Sequence, residues 1–537
     1  MPGNVLRPDN QRKTAVFYYS FREFGCALRC EHAWFPLAII RHTILQKIVG
    51  GISTACKELL WHLFCSSVSL SSVGVVLRLD SPKLLFCRLT NVVGDEAALK
   101  GLWGAKGASG MKPCICCKNI VMKEAGFHQD VYLREISTER KHFDLSTNED
   151  VWSISDHLEI QFRLLNKAAF SRLQTAVGLS WIATGVLANR DLRNHVQPIS
   201  TNTFDSMHCL YSHGCASTEL HLFLNAARSK AGLTFEQLQS YCSASWQHAK
   251  HVKCKPADIF SRSRQEASKD SDSFKGFASE VLSVFPLVRQ LAETVLSNKN
   301  CLQLEMESFR SMHAVITTIE RMKKEFPVSA ASCQELQSAL DKHLRAFVAA
   351  YGSAACKPKN HYTQHLADQI QRDQVVLDTF VLERKHRTTK YYAGQVSRLS
   401  AFEESVLARV LAENIEAAKE FSFADELVGT RADSKDIADA LEVETATVAE
   451  QMRFRNYSIH VGDVLVAQHR VVVVAACVQT NASLQVLGRV YEHQSKFHYG
   501  LLWKKGASIV HFCPQTHEFH IPAFWSFEPD DILLTIG

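Results

Sequence analysis

From about Leu210 to Tyr351 nearly every stretch carries apolar residues at helical spacing, broken by short polar segments such as "SRSRQEASKDSDSFKG". A block of roughly 140 residues with one periodicity is the size of a whole domain. The chain is therefore expected to fold around an all-helical piece with different architecture on either side. Downstream, from "YSIHVGDVLVAQHRVVVVAACVQTNASLQVLGRVYEH" to Gly537, short β-prone runs alternate with turns, which suits a small β-barrel or SH3-like module. Between the two, "GTRADSKDIADALEVETATVAEQ" reads as a linker with a short helix.

The first two hundred residues mix both periods. "AVFYYSF" from Ala15 is aromatic and β-prone, and "WFPLAIIRHTIL" from Trp34 suits a second buried strand. "GISTACKELLWHLF" has helical spacing. "GVVLRLDSPKLLFCRLTNVVGD" reads as two strands turning at Asp80-Ser81-Pro82, the second ending at Gly94-Asp95. Asp95 then sits just past the carboxyl end of a buried strand, where α/β sheets bind their ligands. Further on, Thr203 or Asp205 is placed to cap the helix that begins "SMHCL".

Composition excludes several classes. Of the 537 residues, 46% are hydrophobic and 21% charged, an ordinary balance for a soluble globular protein. A net charge of +5 permits a nucleic-acid partner through local patches without demanding one. The 17 cysteines are scattered and odd in number, unlike a secreted disulfide framework, so a reducing compartment is expected. The polar start "MPGNVLRPDNQRKT" has no apolar signal region, and the longest apolar runs are interrupted. The expectation is an intracellular protein without a membrane span.

Four features carry candidate chemistry. In "DTFVLERKHRTTKYYAGQ", Glu383, His386, Arg387 and Lys390 fall at i, i+3, i+4 and i+7 and share one helix face. Such a face is either a solvated charge run or a carboxylate that holds a metal against a phosphate backbone. Asp95 and the Asp205-x-x-His208 pair are the other candidate acids, each with a competing role as a helix cap. Two-metal phosphoryl transfer needs carboxylates that converge on cations about 4 Å apart. Cys114 and Cys117 form a C-x-x-C, which supplies two of the four ligands of tetrahedral zinc. His128, His142, Cys209 or Cys215 could complete it, Cys116 could replace either cysteine, and buried thiols are the alternative. Cys26, Cys30 and His32 make a weaker metal candidate. His361 and His365 lie four apart without the glutamate of a zinc-protease motif, so a structural or phosphate-facing role is expected for them.

Taken in order, "GDEAALKGLWGAKGASGMKPCICCKN", Asp205-x-x-His208 and "KPKNHYTQHL…FVLERKHRTTK…FEESVLARVL" resemble the core of cut-and-paste DNA transposases. The nearest likeness is to the CACTA and Kyakuja–Dileera–Zisupton group, and it runs from about Asn4 to Glu420. The resemblance implies an RNase H-like α/β core with a large helical insertion before the last catalytic acid. It implies a DDE-type site of Asp95, Asp205 and Glu383, supported by His208 and His386. Mg²⁺ or Mn²⁺ would sit on Asp95 and Glu383, and Zn²⁺ on Cys114 and Cys117. Lys357, Lys359, Arg384, Arg387 and Lys390 would contact DNA phosphates. Asp95 fits either the first or the second acid of the pattern. If the second, the strand bearing the first acid is missing and the copy is N-terminally truncated, with Asp205 in support.

The expected organisation is a core from 1 to 208, a helical insertion from 209 to 355, and the core's last helix from 356 to 422. A linker from 423 to 450 and a β-rich module from 451 to 537 follow. The expected function is metal-dependent DNA strand cleavage and transfer. The alternative is an inactive transposase-derived protein that binds DNA or chromatin. DNA, a second copy and a protein partner of the C-terminal module are the expected partners, in a nuclear setting.

Overall fold

The computed structural model describes residues 12–78, 80–121, 139–243, 246–248, 255–268, 271–420, 425–454, 457–467, 470–481, 483–496, 500–512, 519, 522, 524–527 and 531–535. The chain is mixed α/β and divides into two compact units. One comprises Met1–Leu210 with Met322–Ile415, the other Tyr211–Arg321 with Glu416–Gly537. The division cuts through the stretch 209–355 that the sequence treats as one insertion. Ala330–Tyr351 belongs with the first unit, because its buried face packs against the Leu366–Asp373 helix.

In the first unit, strands β1 (Thr14–Tyr19) and β2 (Phe35–Arg41) form an antiparallel pair. The helix Gly51–Phe64 follows, and β3 (Val75–Leu77) and β4 (Lys83–Leu85) make a second hairpin. β5 (Val92–Gly94) runs parallel to β6 (Asn202–Phe204), in register from Val92↔Asn202 to Gly94↔Phe204. The single strand expected between Pro82 and Gly94 is thus broken. Its middle leaves the ladder because Asn91 instead donates its amide to Thr203 Oγ1 (2.9 Å) and Asp373 Oδ2 (2.7 Å). Those side-chain bonds join β5, β6 and the Leu366–Asp373 helix.

The Phe380–Gln395 helix is seated by two apolar clusters. Val381 packs with Leu28, Trp34 and Leu377, and Ala393 packs with Ile39, Phe402 and Val406. Burying side chains of this size stabilises by about 1.5–3 kcal/mol each, which fixes the helix against the β1–β2 hairpin region. Arg41 forks onto Glu403 with its Nε 2.7 Å and its Nη2 3.2 Å from the carboxylate oxygens, a bidentate pair that holds the following helix.

The second unit pairs helices with one large sheet. Phe223, Phe309 and Phe285 stack at centroid distances of 4.4 and 4.3 Å, uniting the Cys215–Ala231, Ala278–Leu291 and Gln303–Met322 helices. The sheet contains β7 (Trp246–His248), β8 (Glu426–Asp433), β9 (Ala446–Phe454), β10 (Tyr457–His460), β11 (Val464–Ala467), β12 (Arg470–Thr480), β13 (Leu484–Lys496), β14 (Gly500–Phe512), β15 (Phe524–Phe527) and β16 (Asp531–Thr535). Its strands follow the order β10-β9-β12-β13-β14-β16-β15-β7, with β11 on β12 and β8 on β9.

This differs from a small SH3-like barrel. Strands of 11 and 13 residues pair along an open path, and β7 comes from within the helical segment. The expected linker is also ordered: β8 adds to β9 and Lys435–Ala440 is a capped helix, with Ser434 accepting from Ile437 N. "ELVGTRAD" has little apolar alternation, so its strand is fixed by the neighbour rather than by its own pattern. Among the described residues, no helix is long and apolar enough to cross a membrane.

Candidate metal centre and the acidic strand ends

Cys114 and Cys117 lie on a short buried loop after the glycine-rich segment, and His361 and His365 lie at the start of the segment that follows the Ala330–Tyr351 helix. All four are buried, and one ligand atom from each falls within 4.8 Å of all the others. His365 Nε2 is 3.6 Å from Cys114 Sγ, 3.4 Å from Cys117 Sγ and 3.2 Å from His361 Nε2. With zinc–sulfur and zinc–nitrogen bonds of ordinary length, a tetrahedron has N···S edges of about 3.5 Å and an N···N edge of about 3.3 Å. The donor atoms are therefore already spaced for one small tetrahedral cation.

The surroundings favour the same use. His361 Nδ1 is buried without a hydrogen-bond partner, so this ring's polar contact is made by Nε2, on the cluster side. The Cys116 backbone N–H donates to Cys114 Sγ at 3.3 Å, a bond that steadies a thiolate. Phe143 packs on both imidazoles, at centroid distances of 4.6 and 5.6 Å, and excludes water. Tyr362 Oη donates to the Pro113 carbonyl at 2.8 Å, tying the histidine segment to the cysteine loop. Burial holds the Cys114 thiol well above its usual range and, with the Arg140 charge behind it, drops His361 to about 3. Neutral imidazoles are ready to ligate, and a divalent cation would displace the thiol protons. Two thiolates and two imidazoles would hold zinc in a closed set with no position left for substrate, which is the structural type of site.

The histidines are what sequence reasoning missed. His361 and His365 do not line one continuous helix: Pro358–Thr363 and Leu366–Asp373 are separate helices with His365 at the junction. They face the cysteines rather than phosphate or solvent. The signal was present as C-x-x-C and H-x-x-x-H, a known zinc pairing, but the two halves are 248 residues apart between Cys117 and His365. Of the other proposed ligands, His142 is exposed, Cys209 and Cys215 lie outside the cluster, and His128 falls outside the described residues. Cys26, Cys30 and His32 form no such cluster among the described residues.

The acids are placed differently. Asp95 and Asp205 follow Gly94 and Phe204, which are register partners, so both stand at the carboxyl ends of neighbouring parallel strands. Asp95 is exposed and caps the Glu96–Trp103 helix, accepting from Ala98 N at 2.6 Å. Asp205 is fully buried and its carboxylate accepts from Met207 N (3.1 Å), His208 N (3.3 Å), Thr379 N (3.0 Å), Thr379 Oγ1 (2.5 Å) and His208 Nδ1. One aspartate thus caps the Ser206–Leu210 helix and holds Thr379, the residue at the start of the Phe380–Gln395 helix that carries Glu383.

Burial opposes protonation of His208, but the Asp205 bond and charge, with Asp95 behind them, raise its pKa above the ordinary value. Glu383 is exposed on its helix. Local desolvation raises its pKa, the His208 charge lowers it and the Asp205 charge raises it, so the three groups share one electrostatic neighbourhood. A cleft lined by Leu99, Trp103, Ile115, Tyr362 and Lys359 also takes in Asp205 and His208.

Among the described residues, however, Asp95, Asp205 and Glu383 do not bring three ligand atoms within 4.8 Å of one another. No three-ligand set that would support the expected Mg²⁺ or Mn²⁺ on Asp95 and Glu383 forms among the described residues. The Asp205 oxygens are buried and already accept five hydrogen bonds. Nor do all the expected phosphate contacts point outward. Arg384 donates to Glu31 Oε1 and to the Arg29 carbonyl, each at 3.0 Å, and burial lowers His386 to about 4, leaving it neutral. Arg387 and Lys390 are exposed, while Lys357 and Lys359 are half-buried just before the segment that carries His361 and His365. Lys385, the next cation along the helix from Arg384, is buried and donates to the Glu31 carbonyl (2.9 Å) and Asn414 Oδ1 (2.7 Å). No protein-family profile matches the sequence, and no curated protein matches it.

Proposed function

We propose that this chain is a transposase-derived, metal-stabilised DNA-binding protein that uses an RNase H-like core as a scaffold without two-metal chemistry. The observation that supports this reading most is the in-register pairing of β5 and β6, which sets Asp95 and Asp205 on adjacent strand ends near Glu383. That arrangement is expected of descent from a DDE nuclease core. The Asp205 carboxylate, enclosed by five donors, is the reason for separating descent from activity. Structural zinc on Cys114, Cys117, His361 and His365 would lock the segment carrying Lys357 and Lys359 to the strand ends. Arg387 and Lys390 would add their charges on the neighbouring helix, giving affinity that falls with salt.

Duplex binding and Mn²⁺-dependent nicking, measured together on the purified full chain, test this. Salt-dependent binding, weakened several-fold by Arg387→Glu with Lys390→Glu and unaccompanied by nicking, is the expected result. Nicking that Glu383→Gln abolishes would restore the enzyme reading, and absence of any DNA binding would remove the proposal altogether.

A further inference from the structure

The outward face of the Phe380–Gln395 helix holds an aromatic ring among cations. Val381, Lys385, Thr389 and Ala393 are the buried residues of this helix. Away from them, Arg387, Tyr391 and Gly394 fall at i, i+4 and i+7, all exposed, with exposed Lys390 beside them. Tyr391 is 63% exposed, so much of the residue is left uncovered by the fold. Tyr392 meets its ring at a steep angle and a centroid distance of 5.2 Å, and Tyr392 is itself packed on the Ile39, Phe402 and Val406 cluster. The exposed ring is thus braced from one side. One turn on, a side-chain carbon at Gly394 would meet nothing within 4 Å, so the surface past the tyrosine is open. Two guanidinium groups end the face: Arg12 Nη1 donates to the Gly394 carbonyl at 3.2 Å and Arg409 Nη1 to Gln395 Oε1 at 3.3 Å, and both residues are exposed. Glu383, in the first turn, is the one acid on the helix.

We propose that this face binds unpaired nucleotides of DNA, with a base stacked on Tyr391 and the flanking phosphates held by Arg387, Lys390 and Arg12. This use of the face rests on the DNA-binding reading of the chain and adds a preference which that reading lacks, for DNA with unpaired bases. The cations alone suit any polyanion, paired DNA and acidic peptides included. The ring selects among them. In a duplex the bases stack on one another and offer only their edges in the grooves, whereas an unpaired base exposes a flat face that an aromatic side chain can cover. An acidic peptide brings the charge without the base. Stacking of one base raises affinity by about tenfold.

Binding of the full chain to duplexes of one length tests this: one fully paired, one in which a gap leaves a few bases unpaired, and one in which those few positions are abasic. The gapped duplex should bind about tenfold tighter than the paired one, and the abasic gap, with the same phosphates and flexibility, should lose that gain. Tyr391→Ala should bring the gapped-to-paired ratio to about one with unchanged circular dichroism, since Tyr391 is exposed. Tyr391→Phe should keep the ratio, because stacking needs the ring and not the hydroxyl. A wild type that binds gapped and paired duplexes alike overturns the proposal and leaves duplex binding standing, whereas one that binds neither removes both. A preference that survives the abasic gap or Tyr391→Ala, or that Tyr391→Phe abolishes, also overturns it. So does a polyglutamate peptide that binds as tightly as the gapped duplex, which would make the face a peptide site.

Discussion

Asp205 holds more of the local structure than any other single residue near the strand ends. Its two oxygens take up backbone N–H groups from two helix starts, donors that otherwise go unpaired in a buried setting. Replacing it with Asn retains the shape but loses the charge and turns acceptors into donors. Asp205→Asn should cost about 3 kcal/mol of stability in denaturant unfolding. The linked histidine gives a pH signature. Because the folded-state pKa of His208 is raised above 6.5, its contribution is fully present below that pH and is lost as pH rises through the folded value. His208→Asn should flatten the fall in stability over that window, read from unfolding midpoints measured across it.

The four metal ligands make an equally sharp case. The purified chain should carry one zinc per molecule by elemental analysis, released by a chelator. Cys117→Ser should abolish it, removing binding free energy on the order of 10 kcal/mol. A chain with full zinc content after that substitution would show that Cys117 is not a ligand.

Among the elements, the helices of the second unit depend on an aromatic stack and a buried ion pair. Phe309 lies between Phe223 and Phe285, and its loss removes the ring on which both stack. Phe309→Ala should destabilise this unit by about 3–5 kcal/mol. Near it, Arg310 pairs bidentately with Glu293 at 2.6 Å on both oxygens, and the Glu293 side chain is only 4% exposed. The Phe380–Gln395 helix shows the opposite economy of charge. Its basic run reads as one solvated face, yet Lys385 points inward and Arg384 is held by Glu31, leaving Arg387 and Lys390 outward. Helical spacing gives the shared face of a sequence correctly, but which neighbour supplies the acceptors depends on segments over 350 residues away.

For the whole molecule, the four candidate metal ligands all belong to one compact unit, the one built from Met1–Leu210 and Met322–Ile415. A metal bound there would stabilise that unit by mass action and leave the other unit's own free energy untouched. Calorimetry should show two transitions, with chelation lowering the first unit's midpoint and leaving the other in place. A single transition that moves as a whole would show that the two units unfold together.

By itself the sequence determined the local grammar: the helical block, the β-prone end, the strand closing at Gly94, and Asp205 as a helix start. Each of these rests on periodicity or on a side chain bonding within three residues, information carried by neighbours in the chain. Tertiary structure alone decided which distant groups meet. It brought Cys114 and Cys117 to His361 and His365, turned Asp205 inward onto Thr379, and drew Glu426–Asp433 and Trp246–His248 into the large sheet. The physical reason is range. Capping and amphipathic spacing act over a few residues, whereas a tetrahedral donor set or a sheet edge is specified by a closed loop of hundreds, whose pairing no local pattern encodes.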